Sequence, residues 1–192
     1  MHKIDKYFND VSKIIENLKS EKKKIIQIKN KILKANKLNH KIFVIGNGGS
    51  AADSDHFAGE LICTFEKKNR KPFEIYSLNQ NYIAMTAWSN DFSYETYFER
   101  CLKAYSKKND ILICLTTSGG DLNKSQSKNL IRAINYAKKY KIYIISLTGR
   151  TGGYVKNKSN ININIKSNIT SYIQEAHMSI LHSICKLLEN EK

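Results

Sequence analysis

The chain has 192 residues, of which 41% are hydrophobic and 26% are charged, and it contains one proline and nine glycines. This composition excludes a disordered chain, and the length favours one domain over two complete cores. The formal net charge of +15 suits nucleic acid, an anionic membrane surface or a phosphorylated small molecule, and does not choose among them. Lysine and asparagine are abundant along the chain, and this bias accounts for much of the excess charge.

The cysteines and the apolar runs favour a cytoplasmic protein. The four cysteines form no CxxC pair, so we interpret them as reduced thiols that are buried or partly buried: Cys63, Cys101, Cys114 and Cys185. No apolar run approaches the roughly 20 residues that span a bilayer, and the N-terminus is charged and amphipathic, unlike a signal peptide. We therefore expect a cytoplasmic location and no membrane partner.

Residues 3–38 predict a pair of amphipathic helices. Their apolar side chains recur every three to four residues. With no strand between the helices, these faces need cover from the rest of the chain or from the same helices of another subunit. We therefore expect a single domain spanning 1–192, with 1–38 as an N-terminal helical segment that mediates oligomerisation. The apolar positions are Phe8, Val11, Ile15, Leu18, Ile25, Ile28, Ile32 and Leu33.

From residue 41 onward, short β-rich runs alternate with helical patterns, which predicts an α/β fold with a doubly wound parallel sheet of five strands. Most of the runs are continuously apolar, as in strands covered by helices on both faces, whereas 161–165 alternates isoleucine with asparagine and is expected at an edge. Ligands of such sheets bind beyond the carboxyl ends of the strands, so the loops that follow are the place to seek chemistry. The predicted strands are 42–45, 73–78, 111–115, 142–147 and 161–165.

The first candidate loop is the GNGGS motif at residues 46–50, between a predicted strand and a predicted helix at 51–65. Its glycines allow a sharp turn and close approach of a ligand, and free N–H groups at a helix start attract anions. Ser50 suits the N-cap, with Asp53 completing a pattern like a capping box, so a merely capped turn is the alternative. The motif matches neither GxGxxG nor GxxxxGK[ST], which disfavours dinucleotides and nucleoside triphosphates.

Two pairs of polar side chains are spaced to share helix faces. His56 and Glu60 lie four residues apart on the helix after the first strand, and a simple surface hydrogen bond is the alternative reading. Gln174 and His182 lie eight apart on the predicted C-terminal helix, whose apolar stripe includes Ile173. Together the four offer nitrogen and oxygen ligands for Zn²⁺ or another divalent metal, although their spacing is no metal motif.

The second candidate loop is TTSGG at residues 116–120, directly after the third strand, where hydroxyls and backbone N–H groups can cradle phosphate without a cation. Ser127 precedes a helical run and is the predicted N-cap, which would aim the positive end of that helix at the phosphate; a purely structural cap is the alternative. Asn90 and Asp91 lie between the helical patterns 82–88 and 94–105, as a turn or as hydrogen-bonding partners of sugar hydroxyls.

Taken in order, the segments of the chain resemble the successive signatures of bacterial phosphoheptose isomerases of the sugar isomerase (SIS) superfamily, over nearly the whole length. The first and last segments are the specific ones, because other sugar isomerase domains share a serine-rich phosphate loop without this combination of His/Glu and Gln/His. The segments are GNGGSAADSDHFAGEL, SNDFSYE, LTTSGG, SLTGRTGG and IQEAHMSILHSIC.

This resemblance implies a flavodoxin-like SIS fold, a homotetramer built around the N-terminal helices, and isomerisation of D-sedoheptulose 7-phosphate to D-glycero-D-manno-heptose 7-phosphate, for lipopolysaccharide or capsule. Carried over by motif, His56, Glu60, Gln174 and His182 would hold one zinc ion per subunit. The implied substrate-binding residues are Asn47, Gly48, Gly49, Ser50, Glu60, Asn90, Asp91, Thr116, Thr117, Ser118, Ser127 and Gln174.

The sequence departs from the family pattern at three places. The compact serine loop of the family is followed here by extra residues, 121–126, so Asp121 or Ser125 could take the place assigned to Ser127. Thr116 replaces a usual serine and keeps the hydroxyl. Tyr172 stands where an arginine commonly precedes the IQE segment, which removes a cation.

An aldose–ketose isomerase needs a base that moves a proton between C1 and C2, an acid for the carbonyl oxygen, and stabilisation of the enediolate. We assign Glu60 as the base and His182 as the acid. A zinc ion on both side chains would compete with these roles or would instead polarise the carbonyl, and the sequence leaves both readings open.

Three other functions compete with this one. The main alternative is a non-catalytic SIS-fold protein that binds a partner protein, as the replication-initiator-associating relatives do; the four polar residues above speak against it. A nucleic-acid module lacks a recognised motif, so we expect no nucleic-acid partner. Other sugar-phosphate isomerases of the superfamily usually carry a further domain, for which this chain has no room.

Overall fold

The computed structural model describes residues 2–124 and 126–189, and the serine considered as an alternative ligand, Ser125, lies outside them. Its core is a five-stranded, all-parallel sheet with the strand order β2-β1-β3-β4-β5. The predicted α/β class and doubly wound sheet are therefore confirmed. The strands are β1 Ile42–Ile45, β2 Ile75–Ser77, β3 Ile111–Thr116, β4 Tyr143–Gly149 and β5 Ile161–Ile165.

Helices cover both faces of the sheet and form two apolar cores. One face packs α2, α3 and α8 over the sheet, and the other packs α5, α6 and α7. Short 3₁₀ turns at Leu18–Glu21 and Tyr94–Thr96 join neighbouring helices. The helices are α1 Lys3–Asn17, α2 Lys22–Lys37, α3 Gly49–Ile62, α4 Tyr82–Asp91, α5 Tyr97–Tyr105, α6 Lys128–Lys139, α7 Gly153–Lys158 and α8 Thr170–Glu189.

The central strands β1 and β3 are buried along their whole length, as continuous apolar runs require. Strand β5 lies at the edge, as its alternation predicted, and its asparagines bond to the neighbouring strand. Asn162 Nδ2 donates to the Oγ atoms of Ser146 and Thr148 at 2.8 and 2.9 Å, and Thr148 Oγ1 donates to Asn164 Oδ1 at 2.7 Å. Polar side chains therefore stabilise this edge pair.

The two N-terminal helices take different positions, and the predicted helical pair is confirmed. Helix α2 buries Ile25, Ile28, Ile32 and Ala35 against the sheet and α8, whereas α1 buries none of its side chains within the single chain. It rests on α8 through Tyr7, whose ring meets that of Tyr172 edge-on with centroids 5.2 Å apart. Tyr172 therefore anchors α1.

Several element boundaries differ from the predictions. Strand β2 is shorter than 73–78, because the Phe73 N–H bonds to the Leu61 carbonyl and its own carbonyl accepts from Ile75 in a tight turn. Strand β4 starts after Ile142, whose N–H closes the end of α6, and it continues to Gly149 because β5 pairs with it there. The helix predicted at 51–65 is α3, shifted towards the N-terminus.

Within the described residues, no helix is long and apolar enough to cross a membrane. All four cysteines carry free thiols: Cys114 and Cys185 are buried, Cys101 is half-buried and Cys63 is exposed. The interpretation of Cys63 as a buried or partly buried thiol is therefore wrong, since it caps the end of α3, where the chain turns out to solvent.

Candidate functional site

The first loop turns sharply at Gly48, whose φ of +57° and ψ of −125° lie where side chains with a Cβ are strained. Gly48 is the N-cap of α3, so the helix begins at Gly49. The prediction that Ser50 caps the helix is wrong: it lies buried in the first turn, and no side-chain hydrogen bond caps this end. Gly48 and Gly49 are exposed, and the first turn of a helix leaves N–H groups without helical partners, so an anion can approach this helix start.

Gln174 of α8 lies directly over this helix start. A Cβ added to Gly49 would come within 2.1 Å of Gln174 Nε2, so any larger residue at this position would displace the end of the Gln174 side chain. The structure therefore brings together two of the predicted substrate-binding residues, Gly49 and Gln174, which are far apart in the sequence.

Two turns further along, α3 and α8 meet again through three titratable side chains. His56 Nε2 lies 3.1 Å from Glu60 Oε1, and His182 Nε2 lies 3.4 Å from His56 Nε2. The His182 ring also stacks on Phe65, with centroids 5.5 Å apart. The Glu60 side chain keeps 24% of its surface exposed, so it is partly shielded but open to a ligand.

A half-buried carboxyl group, that of Asp53, lies on the same helix as His56 and Glu60. Burial raises the pKa of Asp53 to about 6; the charge of His56 opposes this shift and that of Glu175 adds to it. Its Oδ2 atom is buried without a hydrogen-bond partner among the described residues. The sequence reading of Asp53 as half of a capping box missed this, because that reading placed the helix start two residues too late.

The four predicted metal ligands offer nitrogen and oxygen atoms, which suit zinc. The distance between His56 Nε2 and His182 Nε2 suits zinc as well. Tetrahedral zinc holds nitrogen ligands at about 2.0–2.1 Å, which places two of them roughly 3.4 Å apart, as His56 and His182 are. In residues 2–124 and 126–189, however, no three His, Cys, Asp or Glu side chains form a group that could hold a metal ion. The chemical types of these four side chains therefore fit zinc. They would have to rotate before all four could bind one ion.

The second loop folds back on itself through its own hydroxyls. The Gly119 N–H donates to Thr116 Oγ1 at 3.1 Å, and the Gly120 N–H donates to Ser118 Oγ at 3.3 Å. Thr116 is buried, whereas Thr117 and Ser118 are half-buried at the carboxyl end of β3. Thr117 and Ser118 are thus the hydroxyls of this loop that a phosphate can reach.

The two glycines of this loop also cap the neighbouring helix. Both have positive φ, and their carbonyls accept the N–H groups of Val155 and Tyr154 at 2.9 and 3.0 Å, in the first turn of α7. A Cβ on Gly119 would lie 1.9 Å from the Gly152 carbonyl oxygen. The loops after β3 and β4 are therefore fixed to each other.

The extra residues of the second loop form one wall of a cavity of about 500 Å³. The cavity adjoins Ser118 and is lined by side chains of both charges. It opens on the β4 side of the loop, and neither His56 nor Glu60 lines it. Its lining includes Asp121, Lys124, Arg150, Tyr154 and Asn168.

Ser127 occupies the predicted N-cap position of α6, but its side chain makes no capping bond. Its backbone is left-handed, with φ of +62°, and its carbonyl accepts from Leu130 and Ile131. The capping role assigned to its hydroxyl is therefore wrong, because this conformation leaves the side chain out of the helix turn. That hydroxyl stays available to a ligand.

Asn90 and Asp91 are not in a turn between helices; they form the exposed last turn of α4. Asn90 Nδ2 donates to Asp91 Oδ1 at 2.9 Å. Helix α4 runs three residues beyond the predicted 82–88, and the pattern 94–105 divides into a 3₁₀ turn and α5. The described contacts bring these two side chains to neither α3 nor the second loop.

The segment after α3 is fastened to α8 by residues that the sequence reading missed. Glu189 Oε1 accepts three backbone N–H groups, from Phe65, Glu66 and Lys67, at 2.8–3.0 Å. Arg70 donates to the Glu60 carbonyl at 2.7 Å, and its Nε lies 4.0 Å from Glu189. Burial acts to raise the pKa of Glu189, and these donors outweigh it and lower the pKa. Isolated charges in a helix and a loop give no sequence signal for such a contact.

Comparisons with known proteins agree with this geometry. The SIS domain family model matches residues 6–149. The probable phosphoheptose isomerase of Thermoplasma acidophilum is 39% identical over 186 residues, 97% of both chains. The phosphoheptose isomerase of Leptospira biflexa is 40% identical over 151 residues, which cover 78% of this chain and 74% of that one.

Solved structures give the same result. A phosphoheptose isomerase from Francisella tularensis superposes with a TM-score of 0.90 at 26% identity, and one from Neisseria gonorrhoeae with 0.85 at 27%, each covering 98% of this chain and 97% of the other. This chain therefore belongs to the SIS domain family and, within it, to the phosphoheptose isomerases, which are aldose–ketose isomerases.

Proposed function

We propose that this chain converts D-sedoheptulose 7-phosphate to D-glycero-D-manno-heptose 7-phosphate through an enediolate. The observation that carries the proposal is the contact of His56, Glu60 and His182, beside a helix start that is open to anions. A partly shielded carboxylate and an imidazole next to an anion-binding loop are the groups that this isomerisation needs.

Glu60 is the base. Its carboxylate removes a proton from C1 of the ketose, the electrons move to O2, and the same proton is delivered to C2 when the aldehyde forms at C1. Its hydrogen bond to His56 and the Arg70 contact to its backbone carbonyl fix its position. A fixed base of this kind contributes roughly 10²- to 10⁴-fold to the rate.

His182 is the acid, which protonates O2 as charge develops there and helps to remove the O1 proton in the second half of the reaction. Stacking on Phe65 holds its ring in place. The N–H groups of Gly48 and Gly49 and the hydroxyls of Thr117, Ser118 and Ser127 anchor the anionic substrate. Asn90 and Asp91 lie apart from these groups within one chain, at the end of α4, so they would contact sugar hydroxyls only from a second subunit.

Zinc is part of the proposal, with His56, Glu60, Gln174 and His182 as ligands. When bound, it would compete with the use of Glu60 and His182 as free base and acid, and it would instead supply a Lewis acid for the carbonyl oxygen. The expected result is close to one zinc per chain by mass spectrometry of metals in protein purified without chelator. His56→Ala and His182→Ala should each lose it, whereas His177→Gln, which changes a buried imidazole of α8, should keep it. Zinc retention in both site variants would contradict the ligand assignment.

The wider setting is proposed from the family resemblance. We infer a cytoplasmic homotetramer assembled through the N-terminal helices, and a role in heptose supply for lipopolysaccharide or capsule. No side chain of α1 is fully buried within the single chain, and Phe8 is 62% exposed, which supports an assembly that covers this helix. Light scattering of the purified chain tests the tetramer.

The decisive experiment is turnover of sedoheptulose 7-phosphate, followed by NMR of the product in D₂O. The wild-type chain should form the aldose, with deuterium at C2 where the base exchanges with solvent. Glu60→Gln should lower kcat by at least about 10²-fold with unchanged circular dichroism and oligomeric state. Glu99→Gln makes the same change at a similarly half-buried carboxylate on α5, paired with Lys103, and should keep full activity.

Full activity of Glu60→Gln would remove the base from the mechanism. Absence of turnover by the wild-type chain, with intact folding, would favour the non-catalytic protein-binding function instead.

A further inference from the structure

We propose that Asn129 and Tyr94 are positioning residues for Asn47, and that the Asn47 side chain braces two substrate loops together instead of enclosing the substrate. This inference rests on the proposed function, because it concerns the same sugar-phosphate site. It changes the role of Asn47, which the family resemblance gives as a substrate ligand.

The side-chain amides of Asn47 and Asn129 form a reciprocal pair. Asn47 Nδ2 donates to Asn129 Oδ1 at 3.0 Å, and Asn129 Nδ2 donates to Asn47 Oδ1 at 2.8 Å. The hydroxyl of Tyr94 donates to the same Asn47 Oδ1, also at 2.8 Å. Three hydrogen bonds therefore converge on one side chain of the first loop.

The orientation of both amides follows from a fourth hydrogen bond. Asn129 Oδ1 also accepts the backbone N–H of Leu130 at 2.9 Å. Because a backbone N–H can only donate, the atom facing it must be the oxygen, and the nitrogen of Asn129 must face Asn47. The oxygen of Asn47 is then the atom that meets Asn129 Nδ2 and the Tyr94 hydroxyl.

Counting donors and acceptors shows what remains for a ligand. Asn47 Oδ1 already accepts two hydrogen bonds, which use both of its lone pairs, and one of its two amide hydrogens is donated to Asn129. A single N–H is left. The Asn47 side chain can therefore give the substrate at most one hydrogen bond, as a donor, and can accept none.

The brace joins the two loops that carry the candidate anion site. Asn47 precedes the exposed Gly48 and Gly49, and Asn129 lies in the first turn of α6, next to Ser127. Asn129 is 3% exposed, so its amide is withdrawn from solvent and serves only its partners. Fixing the distance between the loops presets their N–H and hydroxyl groups for one ligand, which reduces the ordering cost of binding.

The test is a double-mutant cycle on sugar-phosphate binding. Asn47→Ala, Asn129→Ala and the double variant are compared with the wild-type chain by calorimetry with sedoheptulose 7-phosphate and by steady-state kinetics. Each single variant should raise Kd and KM about tenfold and keep kcat within about threefold of the wild-type value. The double variant should bind no more weakly than either single variant. Tyr94→Phe should weaken Kd a few-fold, and it remains informative if Asn129→Ala does not fold. Asn135→Ala on the exposed face of α6 is the control and should bind like the wild-type chain.

Several results would overturn the proposal. The first is that the losses of binding free energy in the two single variants add up in the double variant. The second is that Asn47→Ala binds weakly while Asn129→Ala and Tyr94→Phe bind normally. That pattern would make Asn47 a direct substrate ligand that does not depend on its two neighbours. A lower unfolding midpoint of Asn129→Ala with unchanged Kd would reduce the pair to a purely structural contact. Calorimetry measures binding without turnover. If the wild-type chain binds the sugar phosphate but does not convert it, the proposed function is refuted and the role of Asn47 is not. If the wild-type chain neither binds nor converts it, both proposals are refuted.

Discussion

A buried imidazole should make the stability of this chain depend on pH between about 4 and 6.5. His177 of α8 is 0% exposed, and burial lowers the pKa of its side chain from 6.5 to about 4, opposed by its hydrogen bond to the Thr148 carbonyl. Its Nδ1 atom has no partner among the described residues. The folded state therefore holds this ring neutral, with Nε2–H donating to β4.

The unfolded chain binds a proton at His177 below pH 6.5, and the folded chain does so only below about pH 4. Stability from this residue is thus complete above pH 6.5 and is lost as the pH falls through the folded pKa. The shift of about 2.5 units corresponds to about 3 kcal/mol in total, and about 2.5 kcal/mol of it is lost between pH 7 and pH 4.5.

The assay is urea unfolding of the wild-type chain and His177→Gln at both pH values and one protein concentration. Glutamine keeps an N–H for Thr148 and has no proton to bind. The wild-type chain should lose about 2.5 kcal/mol more than the variant on acidification. The difference between the two chains cancels the contribution of Asp53, whose raised pKa acts in the opposite sense. Parallel losses in the two chains would refute the reasoning.

Two further predictions concern the contact of α3 with α8. Gly49→Ala should reduce kcat/KM at least about tenfold, because its Cβ would displace Gln174. Gly59→Ala is the control on the same helix: its Cβ meets nothing within 4 Å, so it should stabilise the chain by up to about 1 kcal/mol. Equal kcat/KM values of the two variants would contradict this prediction. Glu189→Ala should lower the free energy of unfolding by about 3 kcal/mol in urea, since three backbone N–H groups lose their acceptor. Glu66→Ala, which breaks only an exposed ion pair with Lys186, should cost less than about 1 kcal/mol, and a similar cost for both would argue against the anchor.

The fold was predictable because its signals are periodic and local. Continuous apolar runs identified the buried strands, and the asparagine alternation of 161–165 identified the edge strand β5. The predicted ends of strands were wrong where a backbone hydrogen bond to a distant element determines the end. The Phe73 N–H, for example, bonds to the Leu61 carbonyl in α3, and no property of the sequence around Phe73 reports that contact.

The candidate site was predictable only for pairs on a single helix. The spacing of His56 and Glu60 dictates a shared face, whereas the meeting of His182 with His56 depends on how α8 packs across α3. Cap assignments for Ser50 and Ser127 failed because left-handed backbone at Gly48 and Ser127 sets those turns. Asn129 gave no signal, since an asparagine in the first turn of a helix usually faces water, and here it is buried against the first loop.

The carbonyls of Gly119 and Gly120 hold the first turn of α7, so the second loop is clamped before its extra residues begin. Residues inserted after the clamp alter the outer rim without moving Thr117 or Ser118. A change in the length of this segment would therefore reshape the neighbouring cavity while Thr117 and Ser118 keep their places.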